Sequence, residues 1–214
     1  MLPGLGADAK MYEPQRRRWP DLHVPAWIEP QRGESLASYA KRMAQTIDTT
    51  QPFFLGGCSM GGMVALEMAR HIDPLAVFLI GSCRSGMAVS PVARRCASLR
   101  HVVPDIVVRM GVKTAWSLYQ RLPMCRLVRN AICPDMSPTF IKWATGAIVS
   151  WRFDGELKAP VYHLHGGRDY VLLLRRVEPD CVVPDAMHMP NMTHADIVNA
   201  YLEEKMAMHL NAAG

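Results

Sequence analysis

Gly57-Cys58-Ser59-Met60-Gly61 places a serine midway between two glycines. An apolar run, Pro52 to Leu55, precedes it, and a helical stretch through Arg70 follows. A serine at a sharp strand-to-helix turn is held in a strained backbone conformation. Gly57 and Gly61 flank it because side chains there would collide across the turn. Such a turn presents the hydroxyl at the carboxyl edge of a sheet, near the positive end of the following helix. The Met60 N–H then points at the place where negative charge grows on an attacked carbonyl oxygen. The chemistry implied is nucleophilic, and it requires a base within hydrogen-bond reach and a carboxylate to orient that base. A phosphate cradle is excluded, because no Lys-Ser or Lys-Thr pair follows the glycines.

Candidates for both partners stand downstream. Asp169 closes His165-Gly166-Gly167-Arg168-Asp169, just past the strand-like Pro160 to Leu164. His188 lies in the loop beyond a second strand-like run, Cys181 to Pro184. His194 competes as the base, although at the first position of the final helix its ring is better placed to pack or cap. Asp185 competes as the acid, although it is close to His188 in an extended segment. His163 and His165 flank a strand end and are expected to pack or hydrogen-bond locally. At the N-terminus, Leu2-Pro3-Gly4-Leu5-Gly6-Ala7-Asp8 can turn at Gly4 and bring the Leu5 N–H beside that of Met60. Two such donors are worth about 3 kcal/mol each in a reaction barrier. A rival reading exists: Gly4-x-Gly6-x-x-Ala9, followed by Glu29, fits a dinucleotide fingerprint. It lacks the preceding strand and leaves the Ser59 turn unexplained.

These residues need a scaffold, and the 214-residue chain is long enough to bury a sizeable core. Half the residues are hydrophobic and a fifth are charged, which excludes a disordered tail, a collagen-like repeat and a coiled coil. No run of 18 apolar residues suggests a membrane span, and the start does not read as a signal peptide. The six cysteines form no CxxC pair and no zinc spacing, so reduced thiols in a cytoplasm are expected. Strands are expected at 24–29, 52–55, 75–81, 160–164 and 181–184, and helices at 35–48, from 63 to 70 and from about 193 to 210. Ser35 serves as one N-cap, and Thr193 with Asp196 resembles a capping box. Short buried strands alternating with helices indicate a parallel α/β sheet.

Residues 84–153 interrupt the alternation with helical patterns broken at Pro91, Pro104, Pro123, Pro134 and Pro138. This block holds eleven Lys or Arg against two acids, Asp105 and Asp135, a net charge of +9, whereas the whole chain carries +5. Such a segment can attract an acidic substrate, a phosphorylated carrier or a membrane surface. Nucleic-acid binding is not expected, because no reader motif or interleaved aromatics accompany the charge.

With these landmarks the sequence resembles the α/β-hydrolase superfamily, and within it small serine esterases. The resemblance rests on the Leu-Pro-Gly-Leu-Gly-Ala-Asp start, the Gly-Cys-Ser-Met-Gly-Gly elbow and the Gly-Gly-Arg-Asp loop. It implies Ser59 as nucleophile, Asp169 as acid and His188 as base, with Leu5 and Met60 as oxyanion donors. It implies an α/β-hydrolase core over 1–83 and 154–214, with 84–153 inserted as a helical cap that shapes the pocket. The family has glycine before the histidine where this chain has Met187, so a less tight loop is expected. It also has a strand before the oxyanion loop, so N-terminal strands are expected to be missing here. The function expected is hydrolysis of a small-molecule carboxylic ester through an acyl-enzyme, with no cofactor, no metal and no stable membrane insertion. The alternatives are a thioesterase or acyl transferase on an anionic acyl carrier, or a non-catalytic binding module. The motifs identify no protein partner.

Overall fold

A computed structural model describes residues 1–99, 102–121 and 136–210. Four parallel strands lie in the order β1 (Leu55–Cys58), β2 (Val77–Ile80), β3 (Val161–Gly166) and β4 (Cys181–Val183). In register, Leu55 faces Val77, Val77 faces Val161, and Leu164 faces Cys181. Alternation along β2 divides the core between the two faces of the sheet. Val77 and Leu79 pack with α2 (Leu36–Ala44), α3 (Met60–Met68) and α6 (Pro138–Ser150). Phe78 and Ile80 pack on the other face with Met11, Tyr12 and the final helix α8 (Ala195–Leu210). The short helix α1 (Glu13–Arg18) is tied to the chain end through Gln15, whose Nε2 donates to the Asn191 carbonyl and to Asn199 Oδ1.

The helix expected at 35–48 forms in part as α2, which ends at Ala44 and gives way to turns, with Ser35 Oγ accepting from the Ser38 N–H at 3.1 Å. The strand expected at 24–29 does not form. Pro25 lacks an N–H, and no strand lies alongside this stretch. Its carbonyls serve α2 instead: Ile28 O accepts from the Tyr39 hydroxyl at 2.8 Å and Glu29 O from Arg42 at 2.9 Å. Trp27 closes an aromatic cluster with Tyr39, Phe140 and Trp143, which locks the segment between α2 and α6.

The first strand is displaced relative to expectation. Residues 52–55 lead into β1, and the ladder runs on through Gly56 and Gly57 to the serine. A side chain on Gly56 would stand 2.7 Å from Phe78 O, so the closeness of the neighbouring strand requires glycine there. On the outer side of β1, Leu2 makes a parallel bridge to Gly57, and the Leu2 N–H bonds Gly56 O at 2.8 Å.

The two ends of residues 84–153 run side by side. The Phe153 N–H bonds Arg84 O and the Gly86 N–H bonds Trp151 O, each at 2.8 Å. Between these points lie α4 (Pro91–Ser98), α5 (Asp105–Arg121) and α6. Pro91 and Pro138 sit at first helical positions, so they start helices where the sequence suggested breaks. Pro123 and Pro134 lie outside the described residues. No helix among the described residues is long and apolar enough to cross a membrane.

Candidate active site

Ser59 stands between the last residue of β1 and the first of α3 with φ 53° and ψ −121°. It is the one non-glycine with positive φ among the described residues, a conformation that costs about 1–3 kcal/mol and persists only where its surroundings enforce it. Those surroundings are visible. The Ser59 N–H bonds Ile80 O at 3.1 Å, and Ser59 O accepts from the Ser82 hydroxyl at 2.7 Å. A Cβ on Gly57 would lie 2.3 Å from the Gly61 carbonyl carbon, so the turn closes only with glycine at 57. At Gly61 the obstacle is different: a Cβ there would meet Leu2 O at 2.2 Å. The second glycine therefore admits the N-terminal loop against the first turn of α3.

Three side chains form a hydrogen-bonded series. His188 Nε2 is 2.9 Å from Ser59 Oγ, and His188 Nδ1 is 2.7 Å from Asp169 Oδ2. The other carboxylate oxygen, Oδ1, accepts the N–H groups of Val171 at 2.8 Å and Leu172 at 2.9 Å. Asp169 is buried. Burial pushes its carboxyl pKa up, but the His188 hydrogen bond and charge, with the two backbone donors, outweigh that and hold it below its ordinary value. The carboxylate can thus fix His188 with its proton on Nδ1, leaving Nε2 free to accept from the serine.

The alternatives lie elsewhere. His194 caps the short helix α7 (Pro190–Thr193), and its Nδ1 meets Thr193 Oγ1 at 2.9 Å. The expected Thr193–Asp196 capping box is not made. Pro190 starts a separate turn that ends at Thr193, and the Thr193 hydroxyl bonds Met189 O instead. Asp185 pairs with Arg168 at 2.9 Å on the surface. Gly4 to Ala9 form a loop and the start of a 3-10 turn, and Glu29 lies in irregular chain, so the dinucleotide fingerprint is not seated in a strand–helix unit. Cys58, next to the serine, is fully buried, and burial raises its thiol pKa far above the ordinary value. It packs as a neutral group.

The N-terminal loop runs past the serine: a Cβ on Gly4 would sit 3.6 Å from Ser59 Cβ. Among the described residues, the N–H groups of Leu5 and Met60 have no hydrogen-bond acceptor. The histidine loop is close-packed despite Met187. Its tightness comes from glycines on the facing strand ends, since a Cβ on Gly166 would lie 2.2 Å from Met187 O and one on Gly81 2.5 Å from His188 O.

Sequence reasoning missed two residues at this site. Ser82, buried beneath the turn, had no motif to mark it. His163 and His165 lie on one face of β3 and bond locally, as expected, but one of those local contacts is to the acid itself: His165 Nε2 is 3.4 Å from Asp169 Oδ2. The signal was the His-x-His spacing running into Asp169.

His163 also couples this region to pH. Burial, then the neighbouring His165, lowers its pKa from 6.5 to about 4. The unfolded chain therefore takes up this proton first as pH falls. The stability contribution is complete above about pH 6.5 and is lost progressively down to about pH 4, by about 3 kcal/mol in all. Asp169, with its carboxyl pKa held low, acts in the same direction below the ordinary carboxylate range. Urea midpoints should thus fall between pH 7 and pH 4.5 in the native protein and fall less in His163→Gln. Equal losses in the two proteins would contradict the assignment.

A family model described as a thioesterase domain matches residues 1–116. A comparison with curated proteins finds no match. Among solved structures, a thermophilic esterase from Thermogutta terrifontis superposes with TM-score 0.70 at 20% identity, over 97% of this chain and 89% of that one. The enol-lactonase of Burkholderia xenovorans LB400 gives 0.68 at 16% identity, over 96% and 90%. YbtT, a type II thioesterase from the yersiniabactin pathway, gives 0.65 at 16% identity, over 99% and 92%. The parallel sheet, the helices on both its faces and these superpositions make the fold that of the α/β-hydrolases, and the match over more than half its length places the chain in the thioesterase domain family.

Proposed function

We propose that the chain is a serine hydrolase that cleaves acyl thioesters through an acyl-enzyme, with Ser59, His188 and Asp169 as its catalytic triad. The observation that carries the reading is the series Ser59 Oγ, His188, Asp169 Oδ2, at 2.9 and 2.7 Å, on a serine with positive φ. Ser59 Oγ attacks the acyl carbon while its proton passes to His188 Nε2. The oxyanion that forms is met by the N–H groups of Leu5 and Met60. As the carbon–sulfur bond breaks, His188 returns the proton to the departing thiolate. Water then attacks the serine ester, gives a proton to His188, and releases the acid as Ser59 regains its hydrogen.

The motifs alone put a carboxylic ester first. Family membership turns that order round, and the charge of residues 84–153 supports it: Arg84, Arg95, Arg109 and Lys113 are exposed there. We read 84–153 as a cap inserted into a core of 1–83 and 154–214, because the two ends of the segment meet at the pairing of Ser85 with Arg152. A basic cap would hold an anionic thiol carrier by long-range attraction that salt screens. The same mechanism serves an oxygen ester, which is the second reading. A non-catalytic module is disfavoured by the assembled series of serine, histidine and aspartate.

Steady-state kinetics on an acyl-CoA and a neutral aryl ester separate these readings. Raising salt from about 0.05 to about 0.5 M should raise KM for the acyl-CoA about tenfold and leave that of the ester within about twofold. Ester turnover without acyl-CoA turnover would return the reading to a carboxylic ester hydrolase.

A further inference from the structure

His163 and His165 stand two residues apart on β3, so their rings share one face of the sheet. Both are buried. His165 Nε2 is 3.0 Å from Leu172 O and 3.4 Å from Asp169 Oδ2, and both of these oxygens only accept. The Nε2 atom must therefore carry a proton. Burial holds His165 toward its neutral form, so its Nδ1 is bare and accepts. His163 Nε2, 3.2 Å away, must then be the donor. One proton arrangement satisfies these contacts of His165; the Ser82 backbone is a further hydrogen-bond partner of His163.

This arrangement bears on the carboxylate from two sides. The His165 Nε2–H bonds the carbonyl of Leu172, whose own N–H bonds Asp169 Oδ1 at 2.9 Å. The same Nε2–H lies against Oδ2, the oxygen that faces His188. We propose that His165 is a positioning residue for the reaction at Ser59, holding the 169–172 loop so that Asp169 Oδ2 stays aligned with His188 Nδ1, and that His163 selects the tautomer this requires. The proposal rests on the reading of Ser59 as nucleophile. The charged and titratable groups facing the pair are Asp169 and His188 beside His165, with Asp180 and Arg84 beside His163. Tyr201 of α8 adds a hydroxyl contact to Asp180.

The test begins with the native protein. Long-range proton–nitrogen spectra of the imidazoles at pH 7 should show His165 and His163 both neutral and both protonated on Nε2. A His165 that is charged, or protonated on Nδ1, overturns the proposal. Two variants then read the effect on turnover. A glutamine amide nitrogen can stand where Nε2 stands and a leucine has no donor. His165→Leu should lower kcat about tenfold or more with KM within about twofold, and His165→Gln should recover most of the loss. A folded leucine variant with native kcat, or a glutamine variant as poor as leucine, overturns the proposal. If the leucine variant shows no cooperative melt, the glutamine variant and the tautomers decide. Ser59→Ala on the same substrate keeps the two claims apart. Undiminished turnover there refutes the nucleophile, while the tautomers report independently on the proton arrangement of His163 and His165.

Discussion

Replacing Ser59 with alanine is expected to lower turnover by about 10⁴-fold or more and to leave the fold intact. The loss is large because the hydroxyl is the atom that bonds to the acyl carbon. Without it, His188 has nothing to deprotonate except water, and only binding and the oxyanion donors remain. The fold survives because Ser59 is held by its backbone. Its N–H bonds Ile80 O and its carbonyl accepts from Ser82, and neither contact uses the side-chain oxygen. Alanine also takes over the same positive φ without adding bulk. A cooperative melt near that of the native protein, together with abolished turnover, is the expected pair of results. A folded alanine variant with native kcat would remove Ser59 from the mechanism.

Asp169→Asn is expected to be nearly as severe, at about 10⁴-fold in kcat, although the change replaces one oxygen with nitrogen. The reason lies in the two halves of the carboxylate. Oδ1 is fixed by the N–H groups of Val171 and Leu172, so the asparagine oxygen must take that place. The amide nitrogen then occupies the Oδ2 position, facing His188 Nδ1. An amide nitrogen donates, so it stabilises the histidine with a bare Nδ1 and a proton on Nε2. That proton points at Ser59 Oγ, and the base can no longer accept. The amide also meets the Nε2–H of His165 at the position where the carboxylate had met it. KM should change much less than kcat, because the defect lies in proton transfer. A variant with native kcat would show that the carboxylate does not set the tautomer of His188.

Much of this site was legible in the chain because its chemistry lies at the ends of strands. The runs at 75–81 and 181–184 contain β2 and β4, the run at 160–164 overlaps β3, which continues to Gly166, and Asp169 and His188 follow in the loops beyond the last two. The elbow could be read because its glycines answer to steric facts that leave few other residues possible. Other features depended on partners that local patterns do not show. Val24 to Glu29 has strand-like residues but no neighbour to form a ladder, so its carbonyls went to Tyr39 and Arg42. Gly56-Gly57 reads locally as a turn, yet it forms half of β1, where a side chain at 56 would meet Phe78 and one at 57 would meet Gly61. The packing of the histidine loop was misjudged from Met187, since the glycines that permit it, Gly81 and Gly166, lie on other strands. The role of His165 was hidden for a similar reason. A histidine in a strand reads as packing until the loop that returns over it is placed, and that loop is held by Asp169 and Leu172.

If Ser59 is an activated nucleophile, covalent labelling will find it without any assumption about substrate. A fluorophosphonate probe, with the adduct mapped by mass spectrometry and a thermal melt of the same sample, is the measurement. One adduct is expected, on Ser59, that is lost in Ser59→Ala and much slowed in Asp169→Asn. A cooperatively melting protein that takes no label, or takes it at another residue, would contradict it.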